Sequence, residues 1–225
     1  MVSHPGELLK EAARDIKPKL RGWLHLAIFP ISLAAGVVLI LLSPDSTTRV
    51  ASAIFAVSST SLFGVSALFH RGQWAPHWHG VLRRLDHSNI FLLIAGTYTP
   101  FALMLLDGAS ARLLLTLVWG GALLGIAFRV FWIGAPRWLY LPIYIGLGWA
   151  AVFWLGDFAR SAGPVVVTLI VVGGLLYSLG GLVYGLRRPN PIPHWFGFHE
   201  VFHSFTIAAF AVHYVGISMI VYGAR

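Results

Sequence analysis

The chain has 225 residues, of which 57% are hydrophobic and only 11% charged, with a formal net charge of +8 and no cysteine. An ordinary globular domain carries about 25% charged residues, so this composition excludes a water-soluble domain. The missing thiols exclude disulfides and thiolate metal ligands.

In chain order, residues 5–21 come first. They mix Glu7, Glu11 and Asp15 with Lys10, Arg14 and Lys17 around Leu8, Leu9, Ala12 and Ile16. This pattern predicts a short amphipathic helix on the membrane surface, so 1–22 reads as a cytoplasmic N-terminal segment. It is too long and too acidic for a signal-peptide n-region, and the first apolar run is expected to stay in the mature protein.

A bilayer core needs about 20 mostly apolar residues per helix. Seven apolar runs follow, at roughly 23–42, 50–70, 88–106, 111–131, 138–155, 163–185 and 200–222, each bounded by Pro, Gly or Arg. The expected fold is therefore all-α: one integral-membrane bundle of seven transmembrane helices, spanning 1–225 as a single domain.

The charge alternates in step with these crossings. Lys10, Arg14, Lys17, Lys19 and Arg21 precede the first run. Arg71, Arg83 and Arg84 lie in the second loop, Arg129 and Arg137 in the fourth, Arg187 and Arg188 in the sixth. The other side holds only Arg49, Arg112, Arg160 and Arg225, so twelve cations face four. The positive-inside rule then puts the N-terminus in the cytoplasm and the C-terminus outside. The basic excess is topological, and nucleic acid is not an expected partner.

Chemistry concentrates at the cytoplasmic ends of three runs. His70 closes the second run, with Ser66 one turn deeper on the same face. Asp86 opens the third run. His199 and His203 open the seventh as an i, i+4 pair able to share a metal. Ionisable groups in a bilayer are costly and mark function, and here four of them converge at one depth. Each also has a plainer use: Asp86 as a helix N-cap, His70 as an interfacial histidine, the pair as hydrogen-bond donors to carbonyls. A purely structural account needs all three coincidences at once.

His199-Glu200-Val201-Phe202-His203 also matches H-E-x-x-H, the zinc-protease motif. Those proteases take a third ligand downstream, whereas after His203 this chain has no Asp or Glu. His213 lies about two and a half turns deeper, too far to share the ion. The third ligand must come from upstream, and His70 is the donor at the right depth. Imidazoles with an open position suit zinc, and Fe, Ni or Cu would accept them too.

Weaker signals complete the pass. Thr97, Tyr98, Thr99 and Pro100 predict a kink with hydroxyls re-satisfying freed backbone groups, or the wall of a substrate cavity. Gly121-x-x-x-Gly125 and Gly181-x-x-x-Gly185 fit close helix packing, within the chain or in a homodimer. His25 and His87 read as interfacial polar residues, with a supporting role beside the cluster as the alternative. His213 is expected to hydrogen-bond across the bundle.

The motifs Ser66-x-x-x-His70, Asp86 within RLDHSNIFLLIAGTYTP and His199-x-x-x-His203 resemble those of the hemolysin III family. This is the bacterial branch of the progestin and adiponectin receptor family, related to alkaline ceramidases. The resemblance runs from HPGE near the N-terminus to the last run. It implies a seven-helix protein of the bacterial cell membrane with its N-terminus inside. It also implies a zinc ion on His70, His199 and His203, with Asp86 holding the fourth, water-filled position.

From the wider superfamily comes the expectation of hydrolytic chemistry on a lipid amide or ester, with Asp86 as general base and Ser66 supporting an oxyanion or a ligand. The expected partners are a membrane lipid and the bilayer. Two rivals remain: a lipid or membrane-state sensor with structural zinc, and a cytolytic pore, against which stands the clustering of polar groups at one leaflet.

Overall fold

The computed structural model describes residues 18–224. Most of the amphipathic segment expected at 1–22 therefore lies outside the described residues. All regular elements among the described residues are helical: α1 (Trp23–Leu41), α2 (Ser46–Arg71), α3 (Pro76–Leu105), α4 (Gly108–Phe131), α5 (Arg137–Gly148), a 3-10 turn (Ala150–Trp154), α6 (Leu155–Leu186) and α7 (Phe198–Gly223).

Local chemistry sets the starts. Asp45 caps α2: its carboxylate accepts from the Thr48 amide at 3.0 Å and from the Thr48 hydroxyl at 2.7 Å. Those bonds, the backbone one foremost, hold the Asp45 carboxyl below its usual range. Asp107 caps α4 in the same way, accepting from the amides of Ala109 and Ser110 at 2.9 and 3.0 Å. Pro76 begins α3 at a position where its missing N–H costs nothing.

This last start corrects one expectation. Asp86 does not open the third helix, because α3 begins at Pro76 and Asp86 is inside it. Hydropathy marks only the apolar part of a helix, and the polar stretch 76–86 extends it beyond that part. Asp86 is accordingly not an N-cap.

Six helical segments are long and apolar enough to cross a membrane, with Arg137–Leu186 counted as one run of 50 residues. The expected fifth and sixth spans both fall in that run, and it folds back on itself. A Cβ on Gly181 would meet Ile145 at 3.6 Å and one on Gly185 would meet Leu141 at 3.0 Å. Trp149 Nε1 donates to Ser178 Oγ at 2.9 Å. Higher numbers on α6 thus pair with lower numbers on α5, the mark of two antiparallel helices. Within the run, Gly163 has φ 77° and ψ 176°, a conformation only glycine adopts without strain, and Pro164 follows it.

Packing places α3 at the centre. Two-thirds (67%) of its most apolar window is buried, against 22% for α1, which turns Ile31, Leu33, Val37 and Leu41 outward. The main core joins Phe55 and Phe63 of α2, Leu93 and Phe101 of α3, Phe158 of α6 and Phe210 and Ile217 of α7. Gly125 of α4 lies against Phe91, and Gly121 against Leu147. Both small-residue motifs are thus used for packing within the chain.

In the Thr97–Pro100 stretch the threonine hydroxyls bond carbonyls one turn back and not Gly96 O, the carbonyl that Pro100 leaves without its amide. Thr97 Oγ1 donates to Leu93 O at 2.7 Å and Thr99 Oγ1 to Ala95 O at 2.9 Å. Tyr98 reaches farther: its hydroxyl donates to Gly148 O at 2.6 Å and accepts from Ala151 N at 2.8 Å. One side chain of α3 thereby satisfies the backbone where α5 gives way to the 3-10 turn.

Candidate metal centre

The ends of α2, α3 and α7 meet. His70 is in the last turn of α2, Asp86 in α3, and His199 and His203 lie one turn apart at the start of α7. One ligand atom from each of His70, His199 and His203 lies within 4.8 Å of the others. The Nε2 atoms of His70 and His199 are 3.2 Å apart. Tetrahedral bonds of ~2.0–2.1 Å hold imidazole donors about 3.3 Å apart, so this pair already has the spacing of donors that share one ion. The donor set also suits zinc, since neutral imidazole is a common zinc ligand.

Asp86 Oδ2 lies 3.9 Å from His70 Nε2 and 3.5 Å from His87 Nδ1. The Ser66 hydroxyl, buried one turn below His70, donates towards the Asp86 carboxyl. The sequence-predicted residues Ser66, His70, Asp86, His199 and His203 are therefore brought together.

Glu200, the central acid of H-E-x-x-H, faces elsewhere. It is 1% exposed, accepts from Gly197 N at 2.8 Å as a helix cap, and accepts from Arg21 Nε in an ion pair. A glutamate committed to an arginine and a helix start is unavailable as a base to the cluster. The zinc-protease reading of the motif fails on geometry as well as on the missing downstream ligand.

Two histidines correct the interfacial reading. His87 is partly buried beside Asp86. His25 is 2% exposed and stacks on His203, with ring centroids 3.7 Å apart and planes 6° from parallel. His25 is drawn in because the chain before α1 is tied to the chain before α7. Lys19 N donates to His194 O at 3.0 Å, Leu20 N to Trp195 O at 3.2 Å, and Lys19 Nζ sits 4.2 Å from the Trp195 ring centroid. Gly22, at φ 83°, then lets α1 pass close to α2, where a Cβ would meet His70 Cβ at 2.8 Å.

A cavity of about 150 Å³ opens from this cluster into the bundle. That is about ten times what one water needs. Ser66, Asp86, His25, His199 and His203 line one end, and Phe101, Ile170, Tyr177 and His213 line the other. His213 crosses the bundle as expected, its Nε2 donating to Ile170 O at 3.2 Å. Most of the lining between is apolar, although Thr97, Tyr98 and Ser178 carry polar atoms deeper than the sequence pattern implied.

Helices of this length and apolarity, with a tri-histidine cluster at one end of the bundle, define a multi-pass helical membrane protein with a potential metal centre. The family model described as Haemolysin-III related matches residues 14–214, and the chain belongs to that family. It is 35% identical over 158 residues to the Hemolysin-3 homolog of Bacillus subtilis (strain 168), across 70% of this chain and 71% of that protein. It is 31% identical over 185 residues to Hemolysin-3 of Bacillus cereus, across 81% of each. At 24% identity over 199 residues it is also similar to the human Monocyte to macrophage differentiation factor, across 87% of this chain and 80% of that protein.

Proposed function

We propose that this haemolysin-III family protein is a zinc-dependent hydrolase of the cell membrane of a bacterium, cleaving an amide or ester bond of a membrane lipid and so serving lipid homeostasis. One observation carries the reading: His199 and His203, which group with His70, line a largely apolar cavity together with the Asp86 carboxylate and the Ser66 hydroxyl. Catalytic zinc sites of this type use three protein ligands and keep one position open.

His70, His199 and His203 would hold the ion. When bound, zinc supplies Lewis acidity and a water whose pKa falls to about 7. Asp86 stands beside His70 as the base that takes a proton and returns it to the leaving group. Ser66 donates to Asp86 and orients it, or donates to the developing oxyanion. The apolar wall towards Phe101 and Ile170 receives an acyl chain and keeps bulk water from the reacting carbonyl. A lipid enters this site sideways from the bilayer.

The antiparallel pair inside Arg137–Leu186 supports reading that run as two crossings, seven in all. A single straight helix of 50 residues would span about 75 Å, more than twice the roughly 30 Å hydrocarbon core. With seven crossings, the twelve-to-four cation asymmetry supports a cytoplasmic N-terminus and an external C-terminus.

The test is fatty-acid release from a panel of ceramide-like amides and phospholipid esters in nanodiscs. Asp86→Asn is expected to keep its metal and lose about 10²–10⁴-fold in turnover; Ser66→Ala is expected to lose about 10²–10³-fold. Full turnover in Asp86→Asn would remove Asp86 as the base. A zinc-loaded wild type that turns over no lipid would favour the sensor reading, supported by the way His70 and His199 bridge α2 and α7. Leakage of vesicles without turnover would favour the cytolytic reading that the relatives' names carry.

A further inference from the structure

His25 is a polar side chain in a slot that a phenylalanine would fill. Its ring stands edge-on to Phe63, with centroids 5.1 Å apart at 76°, and lies face to face with His203 at 3.7 Å. Both contacts are of a kind that a hydrocarbon ring also makes. Yet Nδ1 and Nε2 are both buried, and among the described residues neither has a hydrogen-bond partner. A neutral imidazole brings one donor and one acceptor, and buried polar atoms persist unpaired only where something else supplies the partner. The ring borders the same cavity as Ser66, Asp86, His199 and His203, the neighbouring space in which a partner could be held.

Distance separates two roles. The His25 and His203 rings are nearly parallel, with centroids 3.7 Å apart. A metal–imidazole bond would be ~2.0–2.1 Å, so His203 holding an ion would leave His25 stacked beside it and not bonded to it. It is well placed to reach an oxygen bound to such an ion, since that hydrogen bond is itself ~2.7–3.2 Å long.

We propose that His25 is the hydrogen-bonding residue of the open coordination position. Its imidazole binds the oxygen of a water, carboxylate or carbonyl group held at the metal, and its face keeps the His203 ring in place. This rests on the metal reading of the cluster above. It assigns a task to α1, which the three ligands and Asp86 leave without one. Outer residues of this kind orient what the metal holds and tune how tightly it is held.

The test uses the full chain in detergent with Co²⁺ in place of zinc, because the visible spectrum of cobalt reports coordination without turnover. Acetate is the probe for the open position. His25→Phe keeps the ring and the stacking and removes the nitrogens; His25→Gln restores an amide. Cobalt loading is expected to match wild type in both. Acetate affinity is expected to fall about ten- to a hundredfold in His25→Phe, the range of one hydrogen bond to a charged group, and to recover at least twofold in His25→Gln. Unchanged acetate affinity in His25→Phe overturns the proposal. So does loss of cobalt from His25→Phe when the wild type is loaded, or a His25→Gln no better than His25→Phe. Failure of the wild type to bind cobalt refutes the metal reading itself, and this proposal with it.

Discussion

Arg21, just before α1, and Glu200, in the first turn of α7, form an ion pair that joins positions 179 residues apart. The carboxylate is 1% exposed and the guanidinium 18% exposed. The pair locks the chain that leads into α1 against the start of the helix that carries His199 and His203. It also makes Glu200 a structural residue.

Glu200→Gln is therefore expected to leave zinc content and any hydrolytic turnover within about threefold of wild type. Stability should fall instead, by about 1–3 kcal/mol, because Arg21 loses its charge partner in a half-buried setting. Thermal unfolding in detergent, run beside metal analysis, reads both. A loss of activity of about 10²–10⁴-fold with unchanged stability would restore Glu200 as a general base.

A second prediction concerns the far end of the cavity. A Cβ on Gly173 would collide with His213 Nε2. Gly173→Ala is expected to displace His213, break its bond to Ile170 O and lower the melting temperature by several degrees. Adding His213→Ala removes the clash, so the double variant should be more stable than Gly173→Ala alone. Simple additivity of the two losses in a double-mutant cycle would contradict the close approach.

Orientation gives a third. A tag at the N-terminus, or in the loop around 187–195, should be protected in intact cells, and a tag after Arg225 should be accessible. An externally labelled N-terminus would place the histidine cluster at the opposite leaflet and remove the charge argument.

The cluster was legible because it rests on short-range rules. An i, i+4 spacing puts Ser66 beside His70 and His199 beside His203, and charge alternation brings the three helix ends to one side. His25 was not legible. Its burial depends on the backbone bonds of Lys19 and Leu20 to His194 and Trp195, and on Arg21 reaching Glu200, all of them contacts between distant segments. Asp86 was misplaced on its helix because the polar stretch 76–86 hides the true start from hydropathy. The hairpin inside Arg137–Leu186 was anticipated as two runs, since Gly163 and Pro164 break the helix where the sixth run was expected to begin.

If His70, His199 and His203 hold one zinc ion with an oxygen at its open position, X-ray absorption at the zinc edge on purified protein will show it. About one zinc per chain is expected, with three nitrogen neighbours at ~2.0–2.1 Å and one light oxygen neighbour. Loss of the metal is expected in His199→Ala and His203→Ala, since two imidazoles make too weak a site. Zinc retained at full stoichiometry in the His199→Ala/His203→Ala double variant, or a wild type that binds no zinc at all, would contradict that site.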